Sequence, residues 1–274
     1  MLSIITAGRN DDYGEFFIER FAQSLNTNIN NLEKNCIDFE YIVVDYNPLN
    51  SKYLYKDTRL QNLLSHDNVF NIIVDNSVIL SENLYPTTFY EYFAKNIGAI
   101  KAKYNNLFFT NCDIILPDKL IKEINAELTF QNINDFFYRC RYREEVHLGQ
   151  TDSFNIRDLH VPGDPDEPIC GLYSGDTMLI TYKNFIRLTG YNETNSGHKT
   201  EKNQASMDGE FLWNCISIGL QRKFFNSPYL HINHQHNVPR DSEYSKESYR
   251  NNKGWGASDY NVRFLNKNTI IIYH

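Results

Sequence analysis

Three groups of residues in this chain have the types and spacing for chemistry. The first is Asn111-Cys112-Asp113, inside FFTNCDIILPDKL (108–120). Phe108 and Phe109 precede it, and Ile114, Ile115 and Leu116 follow. Asp113 therefore interrupts a buried-strand pattern, where an unpaired charge is costly. A divalent cation would neutralise it. Magnesium takes one or two carboxylates and fills its shell with water and substrate phosphates. The structural alternative is an ion pair with a lysine, or a cap on the helix that starts at Pro117.

The second group is Asp208 and Glu210 in SMDGEFLWNCISIGL (206–220). Phe211, Leu212, Cys215, Ile216 and Leu220 form the apolar stripe of a helix, with both acids in its first turn. The helix dipole favours each acid there by about 0.3–1 kcal/mol, so capping alone would account for them. As chemistry, one is a general base kept ionised by the dipole. Two residues apart, they project roughly 200° apart around the helix, so only one can be poised over a substrate. The third group is LHINHQHN (230–237). His231, His234 and His236 suggest a metal or phosphate site. The spacing is not that of a zinc finger, and no cysteine pair completes it.

These residues need elements to position them. LSIIT (2–6), FEYIVVDY (39–46), VFNIIV (69–74) and NLFFT (106–110) read as strands. Helical patterns separate them: one with Phe16, Phe17, Phe21 and Leu25 on a face, then 52–64, then 87–103. PDKLIKEINAEL (117–128) begins with proline at a good helix start. Strands alternating with helices predict a mainly parallel sheet. Ligands then bind beyond the carboxyl ends of the strands. Those ends carry AGRNDD (7–12), Asp45 to Asn47, Asp75-Asn76 and Asn111 with Asp113, which predicts one shared polar cleft. Single Asp and Asn residues there also serve as caps and turns. Residues 135–148 read as a strand running on into an edge or hairpin. Residues 149–168, rich in Gly, Pro and Asp, read as a long loop.

Composition sets the outer bounds. The chain has 274 residues, 41% of them hydrophobic, with 19 Tyr and 18 Phe, enough for a sizeable core. A net charge of -7 and the lack of a basic stripe argue against nucleic acid or an anionic membrane as partner. The five cysteines include no CxxC pair, which points to reduced thiols. No apolar run approaches a membrane span and no secretory signal is evident, so the expected location is cytoplasmic.

Taken in order, the motifs resemble the GT-A glycosyltransferases, most closely family 2-like members. LSIITAGRND is similar to the first strand and nucleotide loop, and YIVVDYNP to the second strand. AKNIGAIKAKYNNLFFTNCDIIL is similar to the helix with Asn-x-Gly, the next strand and the DxD-type metal motif. SGDTMLITYKNFIRLTGYNET resembles the acceptor-side segment, MDGEFLWNCISIGL the helix with the catalytic acid, and HINH the late histidine motif. The resemblance covers residues 1 to about 236 and implies an α/β, Rossmann-like, mainly parallel sheet with flanking helices. It implies a single domain, 1–274, with a nucleotide-sugar half (1–116) and an acceptor and catalytic half (117–274).

The resemblance also implies roles. Thr6, Ala7, Gly8, Arg9 and Asp45 would surround the nucleoside. Asn96 would lie near the ribose or diphosphate, and Asn111 beside the cofactor. Asp113 would hold Mn2+ or Mg2+, with His234 completing the shell. Asp176 would sit by the donor sugar or acceptor, and Asp208 would take the acceptor proton. Asn111 stands where many relatives have Asp, leaving Asp113 as the motif's one carboxylate. The implied activity is transfer of a sugar from a nucleotide diphosphate, UDP by preference, to a glycan or other hydroxyl acceptor with inversion. A nucleotidyltransferase is the first alternative, though no basic glycine-rich loop follows the first strand. A sugar- or partner-binding module without catalysis is the second. Trp255, in NNKGWGASD (251–259), offers either a stacking face for a sugar or a structural wedge.

Overall fold

The computed structural model describes residues 1–11, 13–86, 88–130, 132–159, 176–193, 207–234 and 249–274. Four parallel strands form its centre: β1 (Leu2–Gly8), β2 (Phe39–Tyr46), β3 (Val69–Val74) and β4 (Asn106–Thr110). Their side chains are buried almost throughout, as expected of a parallel sheet covered on both faces. Residues alternate between two cores. Ile5, Ile42, Val44 and Ile72 face one, and Ile4, Tyr41, Val43 and Phe108 the other.

Helix α1 (Phe17–Lys34) follows β1 and buries Phe17, Phe21, Leu25 and Ile29 at helical spacing. Phe16 does not join that face. It precedes the helix in a left-handed conformation, φ 52°, and is exposed. The expected helix over 52–64 reduces to one 3₁₀ turn (Leu54–Lys56) and a short α2 (Gln61–Leu64). Its apolar residues are too few to bury a longer face. α3 (Asn76–Ser81) begins at Asp75, whose carboxylate accepts from Ser77 N (2.9 Å). α4 (Glu91–Ile100) lies on the first core, and a Cβ on its Gly98 would come within 2.7 Å of Ile5 Cγ2. Glycine there lets helix and sheet approach closely.

After β4 come β5 (Ile114–Ile115) and α5 (Asp118–Leu128). Residues 135–148 do not form a hairpin. β6 (Phe136–Cys140) belongs to the large sheet, and β7 (Tyr142–Val146) crosses into a second one. β8 (Ser153–Asp158) lies within the expected loop and pairs antiparallel with β7, and residues 160–168 lie outside the described residues. β9 (Thr177–Thr181), α6 (Tyr182–Arg187), α7 (Met207–Ser217), β10 (Gln221–Phe225), β11 (Tyr229–Ile232), β12 (Asn261–Asn266) and β13 (Thr269–Tyr273) complete the chain.

The large sheet runs β10-β6-β9-β4-β1-β2-β3-β13-β12 and the small one β5-β11-β7-β8. β13 pairs parallel with β3 and β9 antiparallel with β4. Strands from the later part of the chain thus flank the four central strands on both sides. Among the described residues no helix is long and apolar enough to cross a membrane. Cys36, Cys112, Cys140 and Cys215 are free thiols.

Candidate active site

Asp113 follows β4 at the carboxyl edge of the sheet, in a segment stitched down by α1. Arg20, Ser24, Asn28 and Asn31 lie on one face of that helix at spacings of four, four and three. Ser24 Oγ donates to Cys112 O, and Asn28 Nδ2 donates to Ile114 O (2.9 Å). Leu116 N donates to Asn28 Oδ1 (2.7 Å), and Asn31 Nδ2 to Leu116 O (2.9 Å). Buried backbone groups need such partners where the sheet ladder stops. The signal is legible as polar residues at helical period beside an apolar stripe; the expectations above contained none of the four.

Arg20 Nη1 lies 3.2 Å from Asp113 Oδ2. A local cation therefore does face Asp113. His234 Nε2 is 2.9 Å and His231 Nε2 3.7 Å from the same oxygen. Burial raises the Asp113 carboxyl, but the two imidazoles and the guanidinium outweigh it and hold the group well below the usual carboxylate range. Ile232 N donates to Asp113 O (2.9 Å), which docks the end of β11 onto this segment. Strand alternation then aims His231 at Asp113, and His234 follows two residues past the strand.

Asp113, His231 and His234 offer one ligand atom each, all within 4.8 Å of one another. His231 Nδ1 lies 2.7 Å from Glu145 Oε2 and 2.9 Å from Arg143 Nη2. Burial raises the Glu145 carboxyl, yet His231 and Arg143 bring it down to about 2. A carboxylate can only accept, so its bond to His231 selects the tautomer with the proton on Nδ1, which leaves the Nε2 lone pair for a metal; Arg143 Nη2, itself a donor, then lies against Nδ1 without bonding it. A carboxylate behind a ligating histidine is the usual outer-shell arrangement. An N,N,O donor set suits a transition ion such as Mn2+ better than Mg2+, which prefers oxygen. His231 is thus a ligand candidate absent from the expected pair, and His236 lies outside the described residues.

Asn111 sits between charges. Lys95 Nζ donates to its Oδ1 (2.7 Å) and to Glu91 Oε1 (2.5 Å), and its Nδ2 donates to Asp176 Oδ1 (3.2 Å). An aspartate at 111 would set two carboxylates face to face, which gives a reason for the amide. Asp176 Oδ2 also accepts from Arg143 Nη1 and Tyr229 OH, both at 2.6 Å. A carboxylate gripped by three donors can orient its neighbours but is poorly placed to take a proton.

Asp208 and Glu210 stand in the first turn of α7. Glu210 is buried, and its Oε2 accepts from Asn192 Nδ2 (2.8 Å). Asp208 is half-buried. Burial raises its carboxyl to about 6, with Arg139 and the Gly209 N–H opposing and Glu91 assisting. The expectation that the dipole keeps it low is overturned, because desolvation exceeds the helix-end contribution. A carboxylate poised near neutrality suits proton abstraction.

The expected nucleoside residues are placed unevenly. Thr6 is fully buried, with its hydroxyl 3.5 Å from Cys112 Sγ. Ala7 lends its carbonyl to the same thiol (3.2 Å). A Cβ on Gly8 would come within 2.8 Å of Cys112 Sγ and 2.9 Å of Phe17 Cζ, so Gly8 is a packing requirement. Arg9 pairs with Asp11 (2.7 Å) and its guanidinium lies 5.9 Å from the Phe89 ring. Asp45 is buried and its Oδ2 accepts from Leu54 N (2.7 Å). Among the described residues its Oδ1 has no hydrogen-bond partner, and burial lifts its carboxyl to about 7 against the Leu54 bond. Asn96 is fully buried. Its amide bonds the backbone of Tyr191 both ways (2.8 and 2.9 Å) and Glu193 Oε1 (2.7 Å), so it pins the 191–193 segment. Of the other strand ends, Asp75 caps α3 and Asn47 Nδ2 donates to Pro86 O (2.7 Å). Both are structural. Trp255 packs against Phe185, ring centroids 5.9 Å apart, and covers Gly190.

No protein-family model and no curated protein matches the sequence. Solved structures do. S. aureus TarS 1–349 in complex with UDP-GlcNAc superposes with a TM-score of 0.54 at 12% identity, over 89% of this chain and 61% of that one. The complex of the same protein with UDP gives 0.53 at 12% identity, over 84% and 60%. The catalytic domain of Drosophila beta1,4-galactosyltransferase 7 with xylobiose gives 0.48 at 11% identity, over 99% and 92%. The chain spans about 60% of the TarS fragment's length. On the likeness to TarS and its own sheet order, the chain has the GT-A fold of nucleotide-sugar transferases.

Proposed function

We infer that the protein is a metal-dependent glycosyltransferase. It moves a sugar from a UDP-sugar to a hydroxyl acceptor, with inversion at the anomeric carbon. The observation that carries this is the convergence of Asp113, His231 and His234, with Glu145 behind His231, at the carboxyl edge of a GT-A sheet. TarS, of the same fold, has been solved with UDP and UDP-GlcNAc.

Asp113, His231 and His234 would hold a divalent ion, Mn2+ by their donor types. Bound there, the ion supplies charge neutralisation for the leaving diphosphate. Glu145 fixes the His231 tautomer. Asp45, at the carboxyl end of β2, would face the nucleobase side of the cleft, its Oδ1 having no partner among the described residues. Arg9, beside the same strand ends, completes the nucleoside side. Asp176, held by Arg143, Tyr229 and Asn111, orients the sugar. Asp208 takes the proton from the acceptor hydroxyl as oxygen attacks the anomeric carbon, and Glu210 stays bound to Asn192. General-base catalysis accounts for roughly 10²–10⁴-fold, so stabilisation of the leaving group must provide much of the remainder.

The test is thermal denaturation with UDP, with and without Mn2+, together with hydrolysis of UDP-sugars. UDP at about 100 times its dissociation constant adds about 2.7 kcal/mol. A Mn2+-dependent shift lost in Asp113→Ala, with detectable hydrolysis, supports the assignment. A shift without any turnover leaves a sugar-nucleotide-binding module. No shift at all removes the nucleotide from the proposal.

A further inference from the structure

A cavity of about 610 Å³ lies beside the carboxyl end of β13, and its lining includes none of Asp113, His231 and His234. Its volume lies within the ~300–1,000 Å³ of small-molecule sites. Glu82, Glu193, Asp259, Trp255, Tyr260 and His274 are among its lining residues. Three carboxylates against Lys253 make it unfit for a phosphate or nucleotide. Asn251, Asn252 and Asn261 add amides. Two aromatic side chains among short acceptors and donors match one ligand chemistry well. Sugar C–H faces lie on rings, while hydroxyls bond carboxylates and amides.

Hydrogen bonds tie the walls together. Glu193 is the key strut. Its Oε1 accepts from Asn96 Nδ2 (2.7 Å) and Gly256 N (2.9 Å), and its N–H is bound by Asn251 Oδ1 (2.8 Å). Tyr260 OH donates to Glu82 Oε1 (2.6 Å) and lies 2.7 Å from Ser81 Oγ. Trp255 is wedged over Gly190. We propose that this cavity is a second binding site, for a neutral saccharide, separate from the nucleotide-sugar site. It stands whether or not the chain is catalytic. Its wall is tied to α7 through Asn192, next to Glu193, which holds Glu210 (2.8 Å).

The chain has two tryptophans, Trp213 and Trp255. In a Trp213→Phe background Trp255 reports on the cavity alone. Cellotriose, maltotriose, xylotriose and chitotriose are titrated separately, with inorganic phosphate as control. The expected result is a saturable change in Trp255 emission with at least one trisaccharide and none with phosphate. Asp259→Ala, at an exposed position, and Tyr260→Ala each weaken it about tenfold, the scale of one lost ring or hydroxyl contact. Asp113→Ala leaves it unchanged. Should Tyr260→Ala fail to fold, Asn252→Ala, also exposed, takes its place. The proposal is overturned if no trisaccharide gives a saturable response. It is equally overturned if the response survives the cavity variants, or disappears in Asp113→Ala.

Discussion

Replacing Asp208 by Asn should sharply lower turnover and stabilise the protein at once. The carboxyl is raised from 3.8 to about 6, chiefly by burial. For an acid raised on folding, the native state keeps its proton up to about pH 6, while the unfolded chain releases it near 3.8. Stability therefore falls as pH rises through that window, and the full penalty is present at pH 7. Two units at 1.36 kcal/mol each set a ceiling of about 3 kcal/mol. Half-burial brings the expectation to about 1–3 kcal/mol. Asn carries no such penalty, so the variant should melt roughly 2–6 °C higher at pH 7. The difference should shrink by about half at pH 5 and close near pH 3.5. At saturating UDP-sugar, Mn2+ and acceptor, turnover should fall roughly 10²-fold or more, with donor affinity unchanged. Calorimetry and initial rates on the same preparation read both effects. A variant that turns over within about threefold of the parent, or melts lower, refutes the assignment of Asp208 as a desolvated base.

Glu210→Gln should keep most turnover but lose about 1 kcal/mol through its weakened bond to Asn192, seen by urea denaturation; an inactive Glu210→Gln beside an active Asp208→Asn would swap their roles. His231→Ala should remove the Mn2+-dependent thermal shift as fully as Asp113→Ala does, and a retained shift would eliminate His231 as a ligand. Asn28→Ala should cost about 2–3 kcal/mol, since it strands Ile114 O and Leu116 N, and should raise the Mn2+ midpoint; unchanged Mn2+ binding would show that α1 does not position Asp113. Gly98→Ala should destabilise by about 1–3 kcal/mol despite alanine's better helix propensity, because the new Cβ meets Ile5; a higher melting temperature would contradict the packing.

Strand positions were plain in the sequence. β2, β3 and β4 occupy the segments read from apolar runs, because parallel strands buried on both faces need continuous apolar residues. The order of the motifs led to the GT-A fold, and the single carboxylate after β4 to the candidate metal site. Period and composition are local properties, so a chain displays them without folding. The crossing of residues 136–146 between sheets, the β8 strand inside a Gly- and Pro-rich stretch, and the seating of β13 beside β3 are not local. They depend on which edges remain unpaired once the core has formed.

The site divides the same way. Asp113 and the pair Asp208 and Glu210 stood out by residue type alone. Tertiary structure decided their states. It brought Arg20 and His231, from distant elements, within 4 Å of Asp113. It turned Asn96 inward to hold 191–193, and engaged Asp176 with three donors. It also raised Asp208 to about 6, where the helix start alone implied a low value. Desolvation and Coulomb interactions depend on distance in space. Residues far apart in sequence set them, and only the folded chain defines those distances.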